Sequence, residues 1–419
     1  MAGPDEGSEP RPAPAGAAGA AGAAGVVGVV GAGQLARMLQ EAAGPLAVPL
    51  VVMAERGDDA AAQVVPDVVL AAAGSREGLR TLAGRCSVVT FEHELLDLDE
   101  LRALEADGVT LRPGIATLEV AIDKAAMRRR FERAGLPGPA YRDLSAAGAD
   151  GGPPGLERLA AFADASGWPV VLKASRGGYD GRGVWVVADI GEAATVCAAA
   201  ERAGTALMAE EHVVVDRELA VLVARRPGGQ LVAWPPVETA QVGGVCREVL
   251  VPGSLEPAER EAAVELAAAA ATEAAAAGVL AVELFSSGGR LLVNEIAARP
   301  HNSGHWTIEG SVTSQFENHL RAVLDLPLGA TEPTAPHVAS VNVFGDDLGG
   351  DPLGRRAAAL AVEGAHVHLY GKTSRPGRKL GHVTVCGEEA GAVRARAWAA
   401  ARALGTPVPD ELGVATGVA

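Results

Sequence analysis

The sequence is poor in aromatic residues and cysteines, and it has no apolar run long enough to cross a membrane as a helix. Aromatics make up 3 % of the 419 residues while Ala and Gly abound, so helices are expected to pack through small side chains. The four cysteines, Cys86, Cys197, Cys246 and Cys386, are widely separated and form no CxxC or Cys/His zinc spacing. Free thiols in a reducing cytoplasm are the expected state. Basic residues are outnumbered, and the formal charge of −16 argues against a nucleic-acid partner, which would need basic clusters to meet phosphates. A local basic pocket for a small anion remains compatible with an acidic protein. No membrane partner is expected. Residues 1–24, rich in Ala, Gly and Pro, read as a disordered extension without a basic start or a compact apolar segment.

What is present points to an α/β protein of two or three domains. Residues 26–30 form a short apolar strand followed by a turn into a helix, and residues 50–53 form a second strand with Glu55 just past it. This βαβ order predicts a parallel sheet, with residues 88–91 as a later strand ending at Glu92-His93-Glu94. A helix is expected over 122–134 and an exposed Gly/Pro-rich loop over 148–155. Residues 169–173 and 184–187 read as a hairpin, 256–277 as a long helix capped by Gly278, and 338–344 and 366–370 as strands of a third compositional block that begins near His337. There is no internal repeat.

Five motifs carry chemistry. Gly31-x-Gly33-x-x-Ala36 is a βα phosphate-type turn; an anion site and a plain tight turn both fit it, and with Glu55 a dinucleotide site enters the list. Ser175-Arg176-Gly177-Gly178-Tyr179-Asp180-Gly181-Arg182-Gly183 is a glycine-rich flap between strands, with Lys173 beside it, that suits closure over phosphates. Glu283 and Glu295 lie on apolar strands, each six positions from Gly289. A loop of odd length over 286–290 would set them face to face, a repulsion that a magnesium ion resolves. The segment Arg299-Pro300-His301-Asn302-Ser303-Gly304-His305-Trp306-Thr307 crowds a guanidinium and two imidazoles, together with Asn302 and Ser303, at a strand end. A basic loop, Lys372-Thr373-Ser374-Arg375-Pro376-Gly377-Arg378-Lys379, fits either a solvated loop or a phosphate contact. His93, His212, His366 and His382 are isolated; only His93 shares a strand end with glutamates.

Together these motifs resemble the N5-carboxyaminoimidazole ribonucleotide synthetases, a family of the ATP-grasp superfamily. The resemblance runs from about residue 26 to beyond His382 through Gly33-Gln34-Leu35-x-Arg37-Met38, the glycine-rich flap, Asn294-Glu295-Ile296-Ala297-x-Arg299-Pro300-His301-Asn302, Thr313-Ser314-Gln315-Phe316-Glu317 and Arg375-Pro376-Gly377-Arg378-Lys379-x-Gly381-His382. It implies α/β and α+β architecture: an N-terminal βα (pre-ATP-grasp, Rossmann-like) domain over 25–120, an ATP-grasp domain over 121–330 and a small C-terminal β-rich domain over 331–419.

The resemblance also implies a reaction. ATP phosphorylates bicarbonate, and the resulting carboxyphosphate carboxylates the exocyclic amine of aminoimidazole ribonucleotide, with magnesium or manganese as the metal and a homodimer as the assembly. By position, Lys124, Lys173, Gly178, Tyr179, Asp180, Gly181, Arg182, Gly183, Val184, Glu210, Glu211, His212, Val213, Glu218, Gln241, Asn294 and Glu295 resemble ATP contacts. Glu283 and Glu295 match the metal carboxylates, and Asp180, Arg299, His301 and Asn302 the catalytic residues. Gln34, Leu35, Glu94, Lys372, Arg378 and Lys379 resemble ribonucleotide contacts. The chain departs from the family pattern at Gln241, where many members carry His, and at Ala298, where Pro is frequent. Three other readings compete: a formate-dependent glycinamide ribonucleotide transformylase, a non-catalytic nucleotide-binding protein and an NAD oxidoreductase.

Overall fold

A computed structural model describes residues 25–145, 155–178, 182–346 and 350–412. The extension expected over 1–24, most of the 148–155 loop, and Tyr179, Asp180 and Gly181 of the flap lie outside the described residues.

The first sheet has four parallel strands in the order Asp67–Leu70, Leu50–Ala54, Val27–Val30, Val88–Phe91. Its central members are continuous apolar runs because both faces are covered. Helix Gln34–Ala43 packs on one face, with Leu35 and Leu39 against Val27, Val29 and Val52. Helices Arg76–Ala83 and Leu98–Ala106 cover the other through Leu79, Leu82 and Leu101. The carboxyl ends of the paired parallel strands Val27–Val30 and Val88–Phe91 therefore open side by side onto Gly31–Gly33 and Glu92–Glu94.

A small antiparallel sheet, ordered Tyr141–Asp143, Leu207–Glu211, Val170–Ala174, Val184–Val187, carries Lys173 and the start and end of the flap. The hairpin expected here forms, with Lys173 opposite Val184. The large sheet is antiparallel and has nine strands. Its path runs Arg290–Ala297, Gly278–Ser287, Arg217–Arg225, Val237–Val242, Val245–Val251, His337–Phe344, Lys379–Gly387, Ala365–Leu369, with Leu231–Ala233 added beside Arg217–Arg225. The C-terminal strands thus continue the central sheet, joined where Glu248 sits opposite Val341.

Three local expectations need correction. The helix expected over 122–134 forms as Lys124–Arg133, with its start moved to Lys124: Ile122 ends a separate preceding helix, Ile115–Ile122, and Asp123 divides the two. Asp123 is extended and its carboxylate accepts the Ala126 N–H at 3.0 Å, so it is an N-cap and not an interior residue. Gly278 does not cap the long helix, which spans Pro257–Glu273. Ala275 takes the left-handed turn there (φ 53°), and Gly278 opens the next strand, where a Cβ would come within 3.0 Å of the His319 ring. The helix itself packs through Ala263, Ala267, Ala270 and Ala271 against Val221 and Leu280, as the small-residue composition led one to expect.

The third correction concerns the acidic hairpin. Its turn is the two-residue Gly288-Gly289, both at positive φ (55° and 76°), which suits a tight turn matched to strand twist. Leu284 pairs with Val293, but Glu283 pairs with Glu295, so Asn294 is an extra residue in a bulge. The carboxylates do face each other. An even turn plus a bulge achieves it, instead of the odd loop expected from spacing.

Candidate active site

The bulge is held from below by a residue that pattern reading passed over. Arg128, one helical turn after Lys124, donates to the carbonyls of Val293 and Asn294 at 2.6 and 2.8 Å. It also pairs with Glu210 at 2.7 Å, both side chains being only 3 % exposed. Lys173 completes the set, 2.6 Å from Glu210 and donating at 3.0 Å to Asn294 Oδ1. Burial opposes the charge on Glu210, but Lys173 and Arg128 outweigh it and hold the carboxyl below its ordinary range. A buried Arg on an otherwise exposed-looking basic helix was the available signal, and neighbouring Arg129 and Arg130 masked it.

On the surface of this base, Lys124 donates to Glu295 Oε2, and the Lys124 backbone N–H is fixed to Ser175 O at 2.9 Å. The Asp123 N-cap also holds Arg176 at 3.0 Å, so the flap's first turn is tied to the start of the Lys124 helix. Gly178 lies close to Lys124, and a Cβ there would meet Arg182 O at 2.8 Å. The two carboxylates differ. Glu283 is pushed up to about 8, by burial first and then by the charges of Glu295 and Glu218. Burial would raise Glu295 as well, but Lys124 and Lys173 bring it below its ordinary value. Glu218, on strand Arg217–Arg225, is raised by burial.

His301 stands beside this pair, its Nε2 3.5 Å from Glu283 Oε1. Its Nδ1 accepts from the Ser303 hydroxyl at 2.9 Å and from the Ser303 N–H, leaving the proton of the neutral ring on Nε2. Burial, then the charges of Arg299 and Lys379, push this imidazole down to about 3, so it is neutral at physiological pH. Arg299 forms an ion pair with Glu94 at 2.7 Å, linking the segment to the first sheet. The Asn302 amide is buried with neither atom hydrogen-bonded among the described residues, an unusual cost unless a ligand completes it. Trp306 is fully buried between Leu222 and Val338 and serves packing.

The first βα turn already holds an anion. Glu92 accepts from the Gly33 and Ala36 N–H groups, the latter at 3.0 Å, and a Cβ on Gly31 would collide with it. The helix N-terminus is therefore satisfied by an internal carboxylate, which removes the basis for a dinucleotide phosphate there. Beside it lies a cavity of about 440 Å³ whose lining includes Glu92, His93, Arg56, Lys372, Thr373 and Arg378. Gln34 accepts from Lys372, which brings the basic loop onto the first sheet. Leu35 is a buried residue of the apolar core on one face of the first sheet. The basic loop divides: Lys372 and Arg378 line the cavity, while the charge of Lys379 is felt by His301, His305 and His382.

The remaining candidates lie apart from this centre or at its rim. Glu211 ends strand Leu207–Glu211 and accepts the Ala140 N–H at 3.0 Å, and His212 and Val213 follow it. Gly183 takes positive φ (75°) just before Val184. Gln241 sits on strand Val237–Val242 at a register shift opposite Cys246. All four cysteines are free. Among the described residues no group of three or more His, Cys, Asp or Glu could enclose a metal, so Glu283 and Glu295 would supply only part of a coordination shell.

Comparison with known proteins accounts for this arrangement. Profiles of three families match in order: a ribonucleotide synthetase preATP-grasp domain over 25–122, an ATP-grasp domain over 131–316 and a phosphoribosylaminoimidazole carboxylase C-terminal domain over 339–396. The N5-carboxyaminoimidazole ribonucleotide synthase of Mycobacterium tuberculosis (strain H37Rv) is 43 % identical over 385 residues, covering 89 % of this chain and 86 % of that protein. The Corynebacterium ammoniagenes synthase is 42 % identical over 373 residues, covering 86 % and 87 %. The Thermus thermophilus synthetase structure superposes with a TM-score of 0.80 at 36 % identity, covering 91 % of this chain and 99 % of that one. The Aspergillus clavatus synthase in complex with ADP and 5-aminoimidazole ribonucleotide gives 0.81 at 31 % identity, with coverage of 91 % and 99 %. By sequence and by fold, this chain belongs to the N5-carboxyaminoimidazole ribonucleotide synthase family.

Proposed function

We propose that this chain carboxylates 5-aminoimidazole ribonucleotide with bicarbonate at the expense of ATP, as an ATP-grasp ligase of purine biosynthesis. A bicarbonate oxygen attacks the γ-phosphorus, ADP departs and carboxyphosphate forms. The exocyclic amine then attacks its carboxyl carbon, the C–O bond to phosphate breaks, and the amine proton leaves with phosphate. The observation that carries the reading is the seam at residues 294–302. There the Lys124, Lys173, Glu283 and Glu295 cluster stands against Arg299, His301 and Asn302, and Arg299 reaches Glu94 beside the Lys372 cavity.

The parts take roles by their chemistry. Lys124 and Lys173 neutralise charge developing on the phosphates, and the flap carrying Gly178 and Asp180 closes to keep water from an acyl phosphate. The strand-end residues Glu210, Glu211, His212 and Val213, with Glu218 and Gln241, hold the nucleoside. Arg299 binds the bicarbonate or carboxyphosphate anion. Neutral His301, with its proton on Nε2, acts as a hydrogen-bond donor and not as a general acid. Lys372 and Arg378 hold the ribonucleotide phosphate, with Gln34, Glu94 and the Leu35 backbone beside them, and Lys379 adds charge on the His301 side.

The carboxylate pair fits a magnesium or manganese ion: two carboxyl groups face each other, and Glu283 is pushed up to about 8 by burial first and then by its neighbour's charge. Glu283 and Glu295 would hold the ion, with phosphate oxygens and water completing its shell, and the bound ion would offset phosphate charge. A homodimer in the cytoplasm is part of the same reading. No helix among the described residues is long and apolar enough to cross a membrane. Incubation with ATP, magnesium and bicarbonate should release ADP only when aminoimidazole ribonucleotide is added. Release with formate and glycinamide ribonucleotide instead would establish the transformylase.

A further inference from the structure

Gln315 is fully buried and every hydrogen-bonding atom of its amide is used. Its Oε1 accepts the His301 N–H at 2.8 Å, and its Nε2 donates to the His301 carbonyl at 2.8 Å. Backbone partners leave no doubt which amide atom is which. The second Nε2 proton goes to His305 Nδ1 at 3.2 Å, which sets the His305 tautomer with its proton on Nε2. The Gln315 backbone N–H donates to Thr307 Oγ1 at 2.9 Å, and that hydroxyl donates to Gly304 O at 2.6 Å. A Cβ on Gly304 would stand 2.6 Å from Gln315 Oε1, so the segment closes tightly around this one side chain. His301 thus receives from a side chain the two-point pairing that a neighbouring strand would otherwise give.

Gln315 opens helix Gln315–Val323, and that helix is fixed to both halves of the site. Phe316, Leu320 and Val323 belong to the apolar core on one face of the first sheet, with Leu35, Leu39 and Val52. His319 donates through Nε2 to Thr90 Oγ1 at 2.9 Å on that sheet and accepts the Val279 N–H at 3.1 Å from the large one. The element that carries Gln315 therefore cannot move relative to the ribonucleotide cavity or the carboxylate hairpin without breaking buried contacts.

We propose that Gln315 is a positioning residue of the carboxylation step: it sets His301 relative to both the ribonucleotide cavity and the Glu283–Glu295 pair. The proposal rests on the reading of His301 as a catalytic residue. Misplacing a catalytic group by about 1 Å costs on the order of 100-fold in rate. Gln315→Met keeps the length and apolar bulk and removes both hydrogen-bond functions. In the full chain, with ATP, magnesium, bicarbonate and aminoimidazole ribonucleotide, its kcat for ADP release should fall about 100-fold while KM for ATP stays near the parent value. The Gln315→Met/His301→Ala double variant should be no slower than His301→Ala alone, because the two act through one imidazole. Should Gln315→Met fail to fold by circular dichroism, Gln315→Asn keeps the buried amide one methylene short and should show the same selective loss of kcat.

A folded variant with kcat within about threefold of the parent, or losses that multiply in the double variant, would overturn the proposal. That failure is distinct from failure of the functional reading. In the latter case the parent shows no ribonucleotide-dependent ADP release, or His301→Ala runs at parental rate, and the Gln315 assignment falls with it.

Discussion

Glu283 and Glu295 occupy opposite places in one strand pair, yet their surroundings treat them differently: Lys124 holds Glu295 ionised while burial and its partner push Glu283 up. Replacing Glu295 with Gln removes the counter-charge of Lys124 and half of the proposed metal site, with little change in shape. ADP release should fall by at least about 100-fold with the melting transition intact, whereas a non-catalytic nucleotide binder would lose nothing measurable. Lys372 offers a test at the other end of the site. Burial first, then Arg378, lower its ammonium to about 8. Below that pH the group is charged and can hold a phosphate; above it the charge is lost. The kcat/KM for the ribonucleotide should therefore fall as pH rises through about 8, by up to about tenfold per unit, and Lys372→Arg should abolish that fall.

The acidic hairpin depends on its bulge, and the bulge depends on Arg128. Removing Arg128 would strip a buried Glu210 of one partner and leave the Val293 and Asn294 carbonyls without their donor. Arg128→Met should cost about 3–5 kcal/mol in urea unfolding, while exchanges at exposed Arg133 should stay within about 0.5 kcal/mol. This element also shows what the sequence could convey. The facing of Glu283 and Glu295 was legible from their apolar strands, and the strand 88–91 from its run of β-formers. The means of facing was not, because a one-residue bulge leaves no trace in period-two alternation. Asp123 misled for a related reason: a cap and an interior helical Asp look alike until the chain direction changes. The role of Glu92 was equally hidden, since it requires two strand ends that only the parallel sheet brings together.

The molecule as a whole is less divisible than its composition suggests. The compositional break near His337 is real, but strand His337–Phe344 extends the central sheet from Val245–Val251. A buried carboxylate locks the join: Glu248 is fully enclosed, paired twice with Arg394 at 2.8 Å and accepting from Trp398 Nε1 at 2.9 Å, both on the C-terminal helix Ala390–Ala403. A chain cut at 330 should therefore expose an apolar sheet edge and a naked Glu248, and aggregate instead of folding; Arg394→Met in the full chain should lower stability by about 3–5 kcal/mol in denaturant titration. Lys379 opens the C-terminal strand Lys379–Gly387, and its charge acts on His301, which caps the turn Asn302–Gly304 just after the edge strand Arg290–Ala297 of the same sheet. Sequence motifs identified both ends of this arrangement, but pairing between strands nearly a hundred residues apart is not written in local pattern.

The chemistry assigned to this seam requires that an oxygen of bicarbonate end on phosphate. With ¹⁸O-labelled bicarbonate, ATP, magnesium and aminoimidazole ribonucleotide, phosphate released by the parent protein should carry one ¹⁸O per turnover, and ADP release should depend on the ribonucleotide. Unlabelled phosphate, or ADP release indifferent to bicarbonate and ribonucleotide, would contradict carboxylation through carboxyphosphate.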